Sequence, residues 1–379
     1  MIVARSERRQ ADGFSTSAER VADFGGAAPF GVESAVFGSM IDAVNFALFR
    51  QVVQGHGSGE SSGMMHFLGV DGGGTKTDCV ILRADGEIVG RGAAGPSNPL
   101  RVGFPAAFEA VRIAAAMAMA EAGLLPRQIT AAVAGLAGAG RRNTVRRALV
   151  FLTQTLPNAT NLVTTDLEIA LETAVGEGEG VVLVAGTGSA AFGRSANGQT
   201  ARAGGYGPWI GDEGSAYDIG RRAVAAVAQT RDHAAPVTIL AEMIAAELQC
   251  PSWDDLDDRI AQQPDQVFPK IFPAVVAAAD SGDSAAQEIL FTAAVALSQL
   301  ALNVVRRLKL QDRAFPLARV GGVFGRSAKL DGMLDSVLRS GVPLAEITHL
   351  TISPAIGAAR MAQRLAGPIA ASAYGGASD

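Results

Sequence analysis

A glycine-rich turn between two apolar, strand-like runs is the feature that most limits how this chain can fold. Residues 68–78 are Leu-Gly-Val-Asp-Gly-Gly-Gly-Thr-Lys-Thr-Asp, and residues 79–82 form a second apolar run. The pair Asp85-Gly86 that follows is a hairpin signal. The glycine turn is therefore predicted to join two antiparallel strands, and not a strand and a helix.

The residues of this turn predict a phosphate site. Gly73 and Gly74 lack a β-carbon, so their N–H groups can approach an anion closely, and Thr75 adds a hydroxyl donor. Lys76 adds a cation suited to phosphate, and Asp71 stands where a carboxylate could hold hydrated Mg²⁺. The turn is not a P-loop, because a threonine occupies the position at which that motif requires lysine. A purely structural hairpin is the alternative.

A second turn of the same kind occurs near the middle of the chain, where Gly186, Thr187 and Gly188 follow an apolar run. The spacing over 186–191 also fits a dinucleotide-binding fingerprint, but the hairpin signal at 197–198 comes too soon for the helix which that motif needs. Each turn opens a predicted three-strand meander, and helices are predicted over 104–123 and 141–156. The sequence therefore predicts a duplicated α/β fold whose halves face each other across a cleft.

Two acidic segments are candidates for catalysis or binding. Asp166 follows two threonines where a predicted strand gives way to a helix, so it is either a helix N-cap or a catalytic carboxylate at a strand end. Asp212 and Glu213 lie between glycines in the loop 204–217. Neither acid has an evident helical role there, which favours substrate or metal contact over a structural loop.

A strand is predicted over 319–323 and a short one near 349–352, and the first of these contains Gly321 and Gly322. Without side chains, they could let a flat adenine ring lie close to the backbone, and the alternative is close packing against the last helix. The four histidines, at 56, 66, 233 and 349, make no metal-ligand spacing.

Charge and cysteine usage disfavour several classes of protein. The net charge of −5 gives no basic surface for nucleic acid or an anionic membrane. No uninterrupted apolar run reaches the roughly 20 residues of a membrane span. Cys79 and Cys250 lie far apart and form neither a disulfide framework nor a metal motif, which predicts a cytoplasmic protein.

The ends of the chain differ from the rest. Residues 1–65 show no strand alternation and are scattered with Ser, Gly, Arg and Ala. We expect them to form a poorly ordered extension with one amphipathic helix over 35–53, and we expect residues 367–379 to form a short tail. Met64-Met65, directly before the first strand, is consistent with a downstream translation start.

Four segments together resemble one family. Asp-Gly-Gly-Gly-Thr-Lys-Thr, Thr-Thr-Asp, Ala-Gly-Thr-Gly-Ser and Gly-Asp-Glu-Gly-Ser-Ala-Tyr occur here in the order and spacing of the BadF/BadG/BcrA/BcrD-type ATPases. Within that family the chain resembles the N-acetylglucosamine kinases, over residues 66–365. The resemblance implies two actin-like, ribonuclease-H-like domains, one formed by 66–177 with 353–366 and the other by 178–352, with ATP in the cleft.

The resemblance also implies roles for individual residues. Asp166 matches the catalytic carboxylate, which would accept the proton of the sugar 6-hydroxyl as that oxygen attacks the γ-phosphate of ATP. This role displaces the N-cap interpretation. Asp71 would lie near Mg²⁺, and Gly321 and Gly322 near adenosine. The residues that would grip the ATP phosphates are Gly73, Gly74, Thr75, Lys76, Gly186, Thr187 and Gly188.

Asn98 and Asp212 match positions that hydrogen-bond sugar hydroxyls, and we place Ser189 with them. The sugar itself stays open. Ala137 stands where the animal N-acetylglucosamine kinases carry a serine, and the bacterial glucosamine kinases of the family share Leu-Ala-Gly at this point. Asn98 is followed by proline and leucine, and not by the aromatic residue of the animal enzymes. Glucosamine, N-acetylglucosamine or a related hexosamine fits. The resemblance allows a homodimer, since dimers are common in such kinases, and the sequence leaves the oligomeric state open.

Two other functions occur on this kind of fold. The ATPase activators of benzoyl-CoA reductases and 2-hydroxyacyl-CoA dehydratases carry a cluster-binding pair of cysteines, and they have Gly-Gly-Gln-Asp where this chain has Gly-Asp-Glu-Gly. Neither Cys79 nor Cys250 suits such a cluster. A non-catalytic sugar sensor is the third class, but no DNA-binding segment is evident. The presence of Asp166 and of both turns favours turnover.

Overall fold

The computed structural model describes residues 64–367, which form two five-stranded sheets. The strand order of the two sheets is the same when the second is read from its opposite edge. The first sheet has the order β3-β2-β1-β4-β5 and the second β10-β9-β6-β7-β8. The strands are β1 His66–Gly72, β2 Thr77–Arg83, β3 Ile88–Ala94, β4 Ala131–Leu136, β5 Thr160–Thr165, β6 Gly180–Ala185, β7 Ser189–Arg194, β8 Thr200–Gly204, β9 Phe315–Val320 and β10 Ala345–His349.

In each sheet an antiparallel meander of three strands is extended by two parallel strands. The repeat confirms the predicted duplicated α/β fold. The helices are α1 Pro99–Ala122, α2 Arg142–Thr155, α3 Asp166–Val175, α4 Ala216–Arg231, α5 Leu240–Leu248, α6 Trp253–Gln262, α7 Pro264–Val267, α8 Phe272–Asp280, α9 Ser284–Leu308, α10 Ala328–Gly341 and α11 Pro354–Leu365. Short 3₁₀ turns occur at Pro126–Gln128 and Phe268–Ile271.

The C-terminal helix α11 packs on the first sheet, although it follows the second sheet in sequence. A β-carbon on Gly69 of β1 would lie 2.2 Å from the carbonyl oxygen of Ala355, so only glycine permits this approach. We call residues 66–175 and 354–365 lobe I, and residues 180–349 lobe II. The domain boundaries predicted from the sequence remain a proposal.

Some predicted boundaries were wrong. Strand β9 is Phe315–Val320, and not 319–323, because Gly321 takes φ of 115° and ends the strand. Strand β10 is Ala345–His349 and precedes the predicted 349–352. Helix α1 begins at Pro99, before the predicted 104, and Gly103 with φ of 78° and ψ of 159° separates its first turn from the rest.

Among the described residues, α1 and α9 are long and apolar enough to cross a membrane. Each of them instead buries an alanine-rich face in the fold, α1 against β3 and α9 against β7 and α10. The predictions made for residues 1–63, including the helix over 35–53, and for residues 368–379 lie outside the described residues.

Candidate active site

The first glycine turn lies at the end of β1 and is tied to the start of α1. The N–H of Gly73 donates to the carbonyl of Lys76 at 2.9 Å, which closes the turn. The carbonyl of Gly73 accepts the N–H groups of Ser97 and Asn98 at 3.0 and 3.1 Å. The turn therefore joins two strands, as predicted, and it places Asn98 beside the candidate phosphate loop.

Lys76 lies at the surface of this turn. Its ammonium donates to Oδ2 of Asp78 at 2.7 Å, and its side chain is 70% exposed. Its role as a phosphate ligand therefore stays a prediction, since the structure pairs its charge with a neighbouring carboxylate.

The second glycine turn meets the first where the two lobes come together. The N–H of Gly186 donates to the carbonyl of Gly188 at 2.9 Å, and the carbonyl of Gly186 accepts the N–H of Ala216 at the start of α4. The hydroxyl oxygens of Thr75 and Thr187 lie 2.6 Å apart. The structure thus brings the two candidate phosphate loops, one from each lobe, into direct contact.

Asp166 is the first residue of α3 and is not its cap. Thr165 is the N-cap, and it forms a capping box with Glu168: the Thr165 hydroxyl accepts the N–H of Glu168, and the Glu168 carboxylate accepts the N–H of Thr165. The carboxylate of Asp166 is therefore not needed to cap the helix. This geometry contradicts the N-cap alternative and leaves the side chain available for chemistry.

Burial raises the pKa of Asp166, and the charge of Glu168 adds to that shift. The Arg202 guanidinium, which reaches toward Asp166 from β8, acts in the opposite direction, as do backbone N–H groups at the start of α3. Arg202 is fixed by donating from Nε to the carbonyl of Gly204 at 3.1 Å and from Nη2 to that of Gly205. A lobe II cation thus acts on a lobe I carboxylate.

Asp71 lies near the end of β1 and shares its surroundings with Asp166. Burial raises the pKa of Asp71 to about 7, with the negative charges of Asp166 and Asp78 adding to the effect and Lys76 opposing it. A carboxylate held among other carboxylates is a site that attracts a cation. No group of three or more potential ligand side chains converges within residues 64–367. Mg²⁺ is usually held by one or two carboxylates together with substrate phosphates, so Asp71 fits that ion.

Asp212 connects the second turn with the loop 204–217, to which Asp212 belongs. It is buried with φ of 65°, a conformation uncommon for a residue with a side chain. Its carboxylate lies against Gly188, where a β-carbon would be 2.7 Å from Oδ2. Burial raises the pKa of Asp212, while hydrogen bonds from backbone groups of Ser189 and Gly207 oppose the shift. The Ser189 hydroxyl donates to the carbonyl of Glu213 at 2.8 Å.

Asn98 is the N-cap of α1, and its Oδ1 accepts the N–H of Leu100 at 3.0 Å. The same oxygen would lie 3.1 Å from a β-carbon on Gly138, in the segment that contains Ala137. Asn98, the predicted sugar contact, therefore also has a structural role as a helix cap. Its side-chain amide lies close to the segment that contains Ala137, the residue that left the identity of the sugar open.

The two glycines predicted near adenosine differ. A β-carbon on Gly321 would lie 2.3 Å from the carbonyl of Ala185, so this glycine is required by packing of the backbone against β6, and not against the last helix. A β-carbon on Gly322 would meet nothing within 4 Å. Gly322, which is exposed, thus borders open space, and Gly321 does not.

Two arginines were missed by the sequence analysis. Arg202 acts on Asp166, and Arg101 donates from Nη2 to the carbonyl of Asp265 in lobe II at 2.9 Å. Arg101 lies one turn beyond Asn98, which is the only signal that pointed to it. For Arg202 the sequence carried no signal, because it acts between segments distant in the chain.

The chain is similar to known proteins over almost all of the described residues. A sequence model of the BadF/BadG/BcrA/BcrD ATPase family matches residues 68–362. The N-acetyl-D-glucosamine kinase of Dictyostelium discoideum is 30% identical over 311 residues, covering 78% of this chain and 97% of that enzyme. The N-acetylmuramic acid/N-acetylglucosamine kinase of Clostridium acetobutylicum is 30% identical over 311 residues, covering 79% of this chain and 99% of that enzyme.

A crystal structure of a Chromobacterium violaceum protein proposed to be an N-acetylglucosamine kinase has a TM-score of 0.65 and 25% identity, and the match covers 78% of this chain and 98% of that chain. Because nearly the whole of each relative is matched, the likeness extends across both lobes.

Proposed function

The chain belongs to the BadF/BadG/BcrA/BcrD ATPase family, and we propose that it is an ATP-dependent kinase that phosphorylates the 6-hydroxyl of an amino sugar, either glucosamine or N-acetylglucosamine. One observation carries the proposal: Asp166 is not needed as the N-cap of α3 and interacts electrostatically with Asp71, while two glycine-hydroxyl loops, one from each lobe, lie in contact. A base, a cation site and two phosphate loops are the parts that phosphoryl transfer needs.

The transfer follows from these parts. The sugar 6-oxygen forms a bond to the γ-phosphorus of ATP, and the bond from that phosphorus to the oxygen bridging the β-phosphate breaks, so ADP leaves with the electron pair. Asp166 accepts the proton of the sugar hydroxyl. Burial raises the pKa of this carboxylate, which makes it a stronger base, while the positive charge of Arg202 lowers that pKa and favours the ionised form.

The loops of both lobes would hold the nucleotide. Thr75 and Thr187 offer hydroxyls, and the neighbouring glycines offer N–H groups, to the phosphate oxygens. Asp71 would hold Mg²⁺, which neutralises charge on the phosphates when bound. Gly322 borders open space suited to adenosine.

Asn98, Asp212 and Ser189 would contact the sugar hydroxyls. Because the Ser189 proton is already donated to Glu213, Ser189 offers the sugar an acceptor only. The names of the Dictyostelium and Clostridium relatives favour the N-acetylated sugar. A glucosamine kinase of Vibrio cholerae, 30% identical over 232 residues, favours the free amino sugar. Ala137 leaves free glucosamine as the alternative.

Support for the electron-transfer alternative is weak. Cys79 is buried in the core of lobe I, and Cys250 is buried in the core of lobe II. Neither sulfur is placed to share an exposed cluster. Two unpaired cysteines fit the reducing cytoplasm, which remains our proposed location.

The test measures ADP release with ATP and Mg²⁺ against glucosamine, N-acetylglucosamine, N-acetylmuramic acid and glucose, with 6-deoxy-N-acetylglucosamine as the acceptor that lacks the reacting hydroxyl. Sugar-dependent release that is absent for the 6-deoxy sugar supports the proposal. Release that is independent of any sugar contradicts it.

The Asp166→Asn variant tests the assignment of the base. We expect kcat to fall by about a hundredfold to ten-thousandfold, which is the range for loss of a general base, with binding of a non-hydrolysable ATP analogue retained. Asp280→Asn is a matched control, because Asp280 is 60% exposed and pairs only loosely with Lys329 at 3.7 Å. Full activity in Asp166→Asn would show that another group takes the proton.

A further inference from the structure

The position of Arg101 singles it out within the cleft. It belongs to the first turn of α1, which Gly103 separates from the rest of that helix. Its side chain is only 17% exposed. Nη2 donates to the carbonyl of Asp265 at 2.9 Å, and the Asp265 carboxylate lies 3.4 Å away. Arg101 thus reaches from lobe I to lobe II and is held there on one edge of its guanidinium.

The other edge of the guanidinium points at the phosphate loops. Nη1 of Arg101 would lie 3.0 Å from a β-carbon on Gly74, and that same point would lie 3.7 Å from Cβ of Thr187. Among the residues that the structure describes, Nη1 has no hydrogen-bond acceptor. Arg101, the first loop and the second loop therefore converge at one place.

The cation predicted for this place was Lys76. The structure instead holds the Lys76 ammonium on Asp78, at the surface of the turn and 70% exposed. A charge paired in solvent contributes little to a site in the cleft. The half-buried guanidinium of Arg101 is the cation that the fold directs at the junction of both loops.

We propose, resting on the kinase function above, that Arg101 contacts the γ-phosphoryl group of ATP as it is transferred. While the bond from the sugar oxygen to phosphorus forms and the bond to the ADP oxygen breaks, negative charge spreads over the three γ-phosphoryl oxygens. Nη1 of the guanidinium, which Asp265 does not engage, can donate charge-assisted hydrogen bonds to these oxygens. Its contact with Asp265 holds it in place beforehand, so little reorganisation is needed.

The experiment compares the full-length protein with Arg101→Gln, Arg101→Lys and Lys76→Gln. Calorimetry measures binding of Mg²⁺ with AMP-PNP and with ADP, and steady-state kinetics measures sugar-dependent turnover. We expect Arg101→Gln to lower kcat by roughly a hundredfold to a thousandfold, as for loss of one transition-state donor. We expect it to weaken AMP-PNP binding more than ADP binding. The kcat of Arg101→Lys should lie between those of wild type and Arg101→Gln. Lys76→Gln should lower kcat less than Arg101→Gln does.

Two controls separate this role from a structural one. Asp265→Asn removes the charge that faces Arg101 but keeps the backbone carbonyl that accepts its hydrogen bond. We therefore expect this variant to retain most of the wild-type kcat. Arg112→Gln removes an exposed arginine paired with Glu109 on the same helix, and it should behave as wild type. Added guanidinium ion should partly restore turnover to Arg101→Gln, which would not occur if the variant were misfolded.

Equal weakening of AMP-PNP and ADP by Arg101→Gln would overturn the proposal, as would a larger loss of kcat in Lys76→Gln. A loss confined to N-acetylmuramic acid would also overturn it, because Arg101 would then bind the sugar carboxylate. The binding contrast between AMP-PNP and ADP needs no sugar. If wild type binds AMP-PNP but phosphorylates no sugar, the proposed function fails while Arg101 is still tested.

Discussion

At the scale of single residues, the protonation of Asp166 depends on a residue of the opposite lobe. Arg202 projects from β8, and its positive charge lowers the pKa that burial of Asp166 raises. A general base must be deprotonated to act, so activity falls as pH drops below its pKa. Removing the arginine charge raises the pKa of Asp166. The acid limb of the pH profile therefore moves to higher pH.

We predict this shift for Arg202→Gln in a profile of kcat/KM measured at constant ionic strength. At high pH, where Asp166 is ionised in both proteins, the difference in rate from wild type should narrow. Arg112→Gln serves as the control for loss of one positive charge. A uniform loss of rate at every pH would contradict the electrostatic role, and it would assign Arg202 to holding the carbonyls of Gly204 and Gly205.

The sequence was informative about residues within one turn and silent about partners across the cleft. Gly73, Thr75, Gly186 and Thr187 were predicted as loop residues because their types are unusual for their positions. The loop positions are as predicted, and the structure adds the contact between the two threonines. Arg101 could not be found in this way, since an arginine near a helix start is ordinary until the opposite lobe is known.

At the scale of elements, one carboxylate organises the start of α9, the longest helix in the part of the chain that the structure describes. Asp283 is the N-cap of α9, and it accepts the N–H of Ala286 at 2.9 Å, the N–H of Ile239 at 3.0 Å and the hydroxyl of Thr238 at 2.8 Å. Burial would raise its pKa, but these donors outweigh burial and hold the pKa below its usual 3.8. The ionised form is thus the one that stabilises the fold.

Asp283→Ala is predicted to destabilise the protein by about 1–3 kcal/mol, which combines a lost cap with buried donors left unpaired. The measurement is the shift of the urea midpoint near neutral pH. Asp283→Asn keeps an acceptor oxygen without the charge, so it should cost less than Asp283→Ala.

The pH dependence of this cost has a definite sign. A folded-state pKa below the unfolded value gives stability that is present above the unfolded pKa and is lost as pH falls through the folded one. The gap between wild type and Asp283→Asn should therefore shrink as pH falls below about 4, where the wild-type carboxylate becomes protonated. A gap that stays constant over that range would show that the charge contributes nothing.

Elements with strong periodicity were predicted well, and their ends less so. Helix α2, at Arg142–Thr155, differs from the predicted 141–156 by one residue at each end. Strand β9 was placed too late because 321–323 looks like a continuation, while the positive φ of Gly321 ends the strand. Such an end depends on the contact of Gly321 with Ala185, which no local pattern encodes.

At the scale of the whole molecule, the duplication was visible in the sequence because each half begins with the same meander and turn. How the two halves contact each other was not visible in the sequence. Helix α11 returns to lobe I after the whole of lobe II, which ties the first sheet to the last residues that the structure describes. The cleft is bridged by the hydroxyls of Thr75 and Thr187 and by Arg101 with Asp265. Phosphates that bind between the loops must separate the two threonines.

That requirement gives the last prediction. The hydroxyl oxygens of Thr75 and Thr187 are 2.6 Å apart, a hydrogen-bond distance. Cysteine sulfurs at both positions would therefore be close neighbours, and we expect them to form a disulfide on oxidation. The oxidised double variant should lose AMP-PNP binding and at least about tenfold of its turnover, because the loops cannot part. Reduction should restore both, measured on the same sample.

The native cysteines do not interfere with this test, since Cys79 and Cys250 are both buried. The single variants Thr75→Cys and Thr187→Cys, treated with the same oxidant, show any effect of the substitution or of the oxidant itself. If the bridge forms and AMP-PNP still binds with wild-type affinity, the phosphates do not pass between these threonines. In that case the nucleotide site must be sought elsewhere along the cleft. If no bridge forms, the two loops do not meet in solution, and the contact between them is not the barrier that a nucleotide has to open.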